Sequence, residues 1–257
     1  MSRSYWPVSG ITSDRHFDDC RYDSAMSTVP TVSSVRRALI VHAHPEPGSF
    51  STAQAAAAAA HLRSRGVAVD TIDLYAHGWD PTLSRTQFAS GSGYFKPQVE
   101  QMRQISGGVV SEPVGSHLEL LQGADLLILS FPLWWFSMPA ILKGRVDRVF
   151  VMGALFGGEH GILRNGAMRG KKAMVLLTTG GDESAFRRGA ADGFGDLDAF
   201  LFHVHRGMFE FVGYDVVPPF VTYGPARLDA EARADALAQV PAHLDSVLDP
   251  TSAEQPV

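Results

Sequence analysis

The chain is short of cysteine, of long apolar runs and of clustered positive charge, and each shortage bears on function. Its one cysteine, Cys20, sits near the amino end, so no internal disulfide can form and a reducing compartment, the cytoplasm, is expected. The longest greasy run, Leu126 to Phe136, is broken by Ser130 and Pro132. It falls short of the ~20 apolar residues of a membrane span. The first twenty residues lack the apolar core of a signal peptide. A net charge of −5 with no basic block argues against a nucleic-acid surface. What remains is an ordinary globular composition, long enough at 257 residues for a substantial core.

Residues 1–34 mix Ser, Thr, Asp, Arg and Pro without periodicity. They read as a flexible extension, with Met26 as an alternative start, ahead of a folded domain over 35–257. From there the pattern alternates. RRALIVHAH (Arg36 to His44) is a buried strand, and TAQAAAAAAHLRSRG (Thr52 to Gly66) is a helix with Gly66 at its end. VAVDTIDLY (Val67 to Tyr75) is a second strand. Residues 76–116 form a long excursion with a helical piece around Gln98 to Gln104, followed by a helix from Ser116. LLILSF (Leu126 to Phe131) is a third strand, apolar enough to be covered on both faces. Pro139 is expected at the first position of the next helix, whose stripe is Ile141, Leu142, Val146 and Val149. After a Gly-rich excursion come a fourth strand from Lys171, one helix over Asp196 to Gly213, a fifth strand over Asp215 to Gly224, and a helix from Asp229 to Asp249. Five strands alternating with helices predict an α/β fold, an open parallel sheet with helices on both faces.

Ligands of such sheets bind beyond the carboxyl ends of the strands. Three loops leave such ends. His44 to Ser51 (HPEPGSFS) opens a helix with Gly48, Ser49 and Ser51, whose N–H groups and hydroxyls suit a phosphate without a lysine. A capped helix start with no ligand is the plain alternative. FPLWWFSMPAILKGRVDRVF (Phe131 to Phe150) places Trp134, Trp135 and Phe136 between Pro132 and Pro139. Aromatics are usually core, but this segment is too short to bury three rings, and a flat ligand would account for them. Thr178-Thr179-Gly180-Gly181 lets the backbone approach a ligand closely, although an ordinary glycine turn would read the same. A phosphate cradle, an aromatic wall and a donor-rich loop together describe a flavin site of the flavodoxin-like type.

VHAHPEPGSFS, FPLWWFSMPAILKGRVDRVF and TTGG, in this order, resemble the NAD(P)H:quinone oxidoreductases of the flavodoxin-like superfamily, the DT-diaphorase type. The resemblance covers the chain from about Arg37 to the last helix. It implies a flavodoxin-like sheet of order 2-1-3-4-5 and a homodimer. It also implies a ping-pong hydride transfer from NADPH or NADH through a flavin to a quinone or similar aromatic acceptor. Carried over by position, His44, Phe50 and Ser51 hold the flavin phosphates. Pro132, Leu133, Trp134, Trp135 and Phe136 line the isoalloxazine, and Thr178, Thr179, Gly180 and Gly181 its pyrimidine edge. Arg233 falls where an adenosine contact is expected, favouring FAD over FMN. Asp147 stands where relatives can carry Glu.

The chain departs from the resemblance at one place that matters. Mammalian members carry a Tyr and then a His after the glycine loop, proposed to stabilise charge on the flavin. Phe186 and Asp192 stand there instead, and a phenyl ring donates no hydrogen bond. The N–H groups of Gly180 and Gly181 are the expected substitutes, with Phe186 beside them in the catalytic set. Phe156, with Trp134, Phe136 and Phe186, is a candidate apolar slot for the acceptor; interface packing is its equal alternative. No metal is expected: His203 and His205 are two apart on a helix, and Arg206 and Glu210 occupy the positions where relatives' zinc ligands would be sought. Asp125 and Asp147 are not read as an acid–base pair. The competing functions are a flavin-binding regulatory subunit or electron carrier without strong reductase activity, and a flavin-free structural homologue.

Overall fold

The computed structural model describes residues 35–89, 93–189 and 192–249. The expected extension, with Cys20 and Met26, lies outside the described residues. Six strands form one parallel sheet: β1 (Arg37–His42), β2 (Ala68–Asp73), β3 (Leu126–Pro132), β4 (Lys172–Thr179), β5 (Asp215–Val216) and β6 (Phe220–Tyr223). Their order is β2-β1-β3-β4, with β5 and β6 both pairing β4. Six helices accompany them: α1 (Phe50–Ser64), α2 (Pro97–Ser106), α3 (Val114–Gly123), α4 (Ala140–Val149), α5 (Leu197–Val204) and α6 (Ala230–Leu248).

The strands are apolar at successive positions because both faces are covered. Leu39, Val41, Leu127, Leu129, Val175 and Leu177 join one core with α3, α4 and α5. Ala38, Ile40, Leu126, Ile128, Met174 and Leu176 join the other with α1 and α6. Small side chains at Ala55, Ala58 and Ala59 seat α1 on this second face. Ser49 caps α1, its hydroxyl accepting from the Thr52 N–H at 3.1 Å, and the chain leaves the helix through Gly66 at φ +78°.

Four details differ from the sequence expectations, each for a local reason. The fifth strand is two: Pro218 and Pro219 cannot donate to a ladder, so β5 stops at Val216 and pairing resumes at Phe220. The helix over 196–213 ends as α at Val204; His205–Phe209 is a π turn and Glu210–Val212 a 3-10 turn, closed by Gly213 at φ +103°. Pro139 is not the first residue of α4 but its cap, with an extended ψ of 145°. α3 begins two residues earlier than expected, at Val114. Among the described residues no helix is long and apolar enough to cross a membrane.

Candidate functional site

The sheet changes winding direction between β1 and β3, and the three loops singled out in the sequence leave the carboxyl ends of β1, β3 and β4. A cavity of about 420 Å³ opens there, lined by His44, Phe50, Ser51, Thr178 and Arg233 among others.

Its floor is the start of α1. The Phe50 and Ser51 N–H groups precede the first intrahelical bond and take no partner among the described residues. They carry the positive end of the helix dipole toward the cavity. The loop already captures one anion: Glu46 Oε1 accepts from the Gly48 N–H at 2.8 Å. The His44 ring is fixed by the Glu46 N–H, which donates to Nδ1 at 3.0 Å. Nδ1 also lies 3.1 Å from the Glu46 carbonyl oxygen, so both backbone groups of Glu46 hold this edge of the ring. Arg233 comes from the second turn of α6; its Nε donates to the Pro225 carbonyl at 2.9 Å.

Beneath this floor runs a polar chain that the sequence did not announce. His42 is 3% exposed, with Nδ1 3.0 Å from Ser130 Oγ and Nε2 3.0 Å from Thr52 Oγ1. Thr52 Oγ1 in turn lies 2.9 Å from Ser49 Oγ. Burial holds the His42 pKa below its ordinary value, with Asp73 opposing. The chain ties β1, β3 and the α1 cap together. A histidine inside an apolar strand run was its one sequence trace.

The aromatic wall is a two-residue hairpin. Trp134 and Ser137 exchange backbone hydrogen bonds of 2.9 and 3.0 Å, and the two residues between them have φ of 51° (Trp135) and 56° (Phe136). Such left-handed turns ordinarily use Asn and Gly. Two bulky aromatics here cost about 1–2 kcal/mol each. What the conformation achieves is exposure: Trp135 stands 97% open to solvent. Trp134 leans toward His44, ring centroids 6.0 Å apart. Phe136 stacks on Phe200 at 4.5 Å. Pro132 ends β3 and Leu133 donates its N–H to the Thr178 carbonyl at 2.8 Å, fastening this wall to β4.

After β4, Thr179 Oγ1 donates to the Gly181 carbonyl at 2.7 Å and curls the loop. The Gly180 and Gly181 N–H groups take no partner among the described residues. A side chain at Gly181 would come within 2.9 Å of the Phe194 ring and 3.1 Å of the Phe186 ring, so a larger residue would require these rings to shift.

Phe186 is 7% exposed and packs among Phe194, Phe200 and Tyr223 under this loop; it supports the glycines rather than facing open space. Phe156 does not join it. It lies against Phe211 in a separate cavity with Val146 and Met208, so within the chain the four rings do not form one slot: of them, Phe136 and Phe186 share the ring partners Phe194 and Phe200. Asp192 is exposed. His203 is satisfied by Ser137 and Phe200, but His205 is not, its Nε2 being buried without a partner. Arg206 and Glu210 form an ion pair with each other. Asp125 accepts from the Arg36 and Arg37 N–H groups, and Asp147 pairs with Lys143, so both carboxylates are structural.

Comparison with known proteins agrees with this geometry. Residues 36–245 match the family described as flavodoxin-like fold. The chain is 33% identical over 223 residues to NAD(P)H dehydrogenase [quinone] 1 of Cavia porcellus, covering 86% of this chain and 80% of that protein. It is 32% identical over 215 residues to ribosyldihydronicotinamide dehydrogenase [quinone] of Rattus norvegicus, covering 82% and 92%. A solved structure from Klebsiella pneumoniae, assigned provisionally as a quinone reductase, superimposes with a TM-score of 0.77 at 34% identity, covering 83% of this chain and 85% of that one.

Proposed function

Because this chain belongs to the flavodoxin-like family that includes the NAD(P)H quinone dehydrogenases, we propose that the three-loop crevice binds a flavin and makes the protein an NAD(P)H-dependent quinone reductase. The observation that carries this reading is the convergence of free Phe50 and Ser51 N–H groups, an exposed aromatic hairpin and free Gly180 and Gly181 N–H groups at one switch point. A bound flavin supplies hydride transfer, taking a hydride from a reduced nicotinamide and delivering it to the acceptor.

The chain's own part is placement and charge. The Phe50 and Ser51 N–H groups, with the His44 ring beside them, would hold phosphate at the α1 start. Pro132 to Phe136 present an aromatic edge and face to a planar ring. Gly180 and Gly181 donate to the polar ring edge, where negative charge grows on reduction; they take the role of the Tyr and His that this sequence lacks. Arg233, with Nη1 uncommitted at the far end of the cavity, supports FAD over FMN. The single cysteine fits a cytoplasmic protein. Phe202, exposed on α5 near the hairpin's support, fits coverage by a second copy, as a homodimer would provide.

The test is direct. The flavin released from purified protein is identified, and its bleaching by NADPH, NADH and reduced nicotinamide riboside is followed without oxygen. Bleaching followed by reoxidation with quinones, nitroaromatics or azo dyes ranks acceptors. A yellow protein that none of the three donors bleaches would leave the carrier or regulatory reading instead. Release of FMN rather than FAD would overturn the role given to Arg233.

A further inference from the structure

Among the described residues a second cavity is larger than the crevice. It measures about 660 Å³ and lies along the edge strand β2, between α3 and the segment 77–87. It shares no lining residue with the crevice at the β1, β3 and β4 ends.

One wall is rigidly built. The 80–82 loop crosses α4 so closely that a side chain at Gly144 would meet the Pro81 carbonyl oxygen at 2.2 Å. Arg148 of α4 donates through Nη1 to the Asp80 carbonyl and fixes that loop. Trp79 is clasped beside it: His117 of α3 stacks on the indole at 4.5 Å, and the Arg148 guanidinium lies 4.6 Å from its centroid.

Trp79 Nε1, His117 Nδ1 and Arg148 Nε are sealed from solvent. His117 Nε2 and Arg148 Nη2 are neither sealed nor bonded, although both residues are over nine-tenths buried, so they open to the cavity they line. With Nδ1 sealed and without an acceptor among the described residues, the imidazole proton belongs on Nε2, so that His117 and Arg148 each offer the cavity a donor. Ile72, Pro113 and Leu120 supply apolar wall away from them.

We propose that this cavity is a second ligand site, taking a small organic monocarboxylate with an apolar body. Two donors lining one cavity, one of them cationic, suit a carboxylate, and the volume suits a ligand of one or two rings. A phosphate dianion suits it poorly. The single cation at the floor already has the Asp80 carboxylate at 3.9 Å, and Asp70 stands on the rim in an ion pair with Arg37.

Calorimetric titration of the full chain as purified, with benzoate, benzamide and phenyl phosphate, tests this independently of flavin content. Benzoate is expected to bind with Kd below about 1 mM, and benzamide and phenyl phosphate at least about tenfold more weakly. His117→Leu removes one donor and should weaken benzoate about fivefold or more. Ser116→Trp at the exposed rim and Leu120→Trp on the wall should each abolish binding. Melting temperature and flavin content report their folding, and Ser116→Trp serves where Leu120→Trp does not fold. Equal affinity for benzoate and benzamide, no benzoate binding up to about 5 mM, or binding that survives the tryptophan substitutions would overturn the proposal.

Discussion

Nε2 of His203 lies 3.0 Å from Oγ of Ser137, joining α5 to the hairpin that carries Trp135 and Phe136. His203 Nδ1–H donates to the Phe200 carbonyl at 2.8 Å, which leaves Nε2 to accept from the Ser137 hydroxyl. The ring stack of Phe136 on Phe200 runs parallel to this bond. Ser137→Ala should cost about 0.5–1.5 kcal/mol of hairpin order, seen as roughly three- to tenfold weaker flavin binding in fluorescence-quenching titrations of the apoprotein. The Ser137→Ala/His203→Ala double variant should be no worse than His203→Ala. Additive losses would show that the pair does not act as a unit.

Trp135 combines a left-handed backbone with an almost fully exposed ring. Glycine adopts that backbone freely, and removing the ring forfeits no burial. Trp135→Gly should therefore stabilise the flavin-free protein by about 1 kcal/mol in urea unfolding. The same change should weaken flavin binding severalfold. Stability and function are opposed at this one position, as expected of a strained turn kept for its site. A variant that lost stability and kept flavin affinity would count against the assigned role of the hairpin.

Arg145 presents the largest electrostatic debt in the core. It is 0% exposed, and Nε, Nη1 and Nη2 all lack a hydrogen-bond partner. Burial lowers its pKa to about 10, leaving the group cationic at neutral pH, and the nearby buried Tyr214 hydroxyl likewise has no hydrogen-bond partner among the described residues. Methionine has a similar shape and no charge to desolvate. Arg145→Met is expected to raise stability by about 1–4 kcal/mol, read as a higher denaturation midpoint with unchanged slope. A lower midpoint would mean that the guanidinium holds a partner not seen among the described residues.

His117 is held down to about 4, first by burial and then by the nearby Arg145 charge. An unfolded chain takes up a proton at this imidazole near 6.5, which the folded protein resists until about 4. The unfolded state thus binds more protons in that window, and stability falls with falling pH. His117 contributes its full stabilisation above pH 6.5 and loses it progressively toward pH 4. His42 and His205, also lowered chiefly by burial, act in the same sense. Urea midpoints at pH 7 and pH 5 should differ less in His117→Leu than in the parent; identical pH dependence would refute this assignment.

Much of the framework was legible because its signals are local. Continuous apolar runs at Leu39 to Val41 and Leu126 to Leu129 mark strands covered on both faces, and the alanine run of α1 marks a helix lying close on a sheet. The three loops were legible as residue types that cradle, stack or donate. The conformation of the aromatic loop was not: Trp-Phe is no turn signal, and its left-handed backbone exists because β3, α4 and α5 hold both ends of a two-residue connection. Nor does any pattern distinguish Arg145, which is buried, from Lys143, which pairs at the surface with Asp147. That difference depends on which side of α4 meets the 80–82 loop and α3.

By itself, then, the sequence determined the alternation of strands and helices, the apolar faces and the chemistry offered at three strand ends, since each follows from neighbouring residues. Only the tertiary structure decided that Phe156 packs on Phe211 while Phe186 packs among Phe194, Phe200 and Tyr223, that Pro218 and Pro219 divide an edge strand, and that Trp79, His117 and Arg148 close round a second cavity. Those outcomes depend on contacts between residues dozens of positions apart. The packing that brings them together is a property of the whole sheet and its two covering layers.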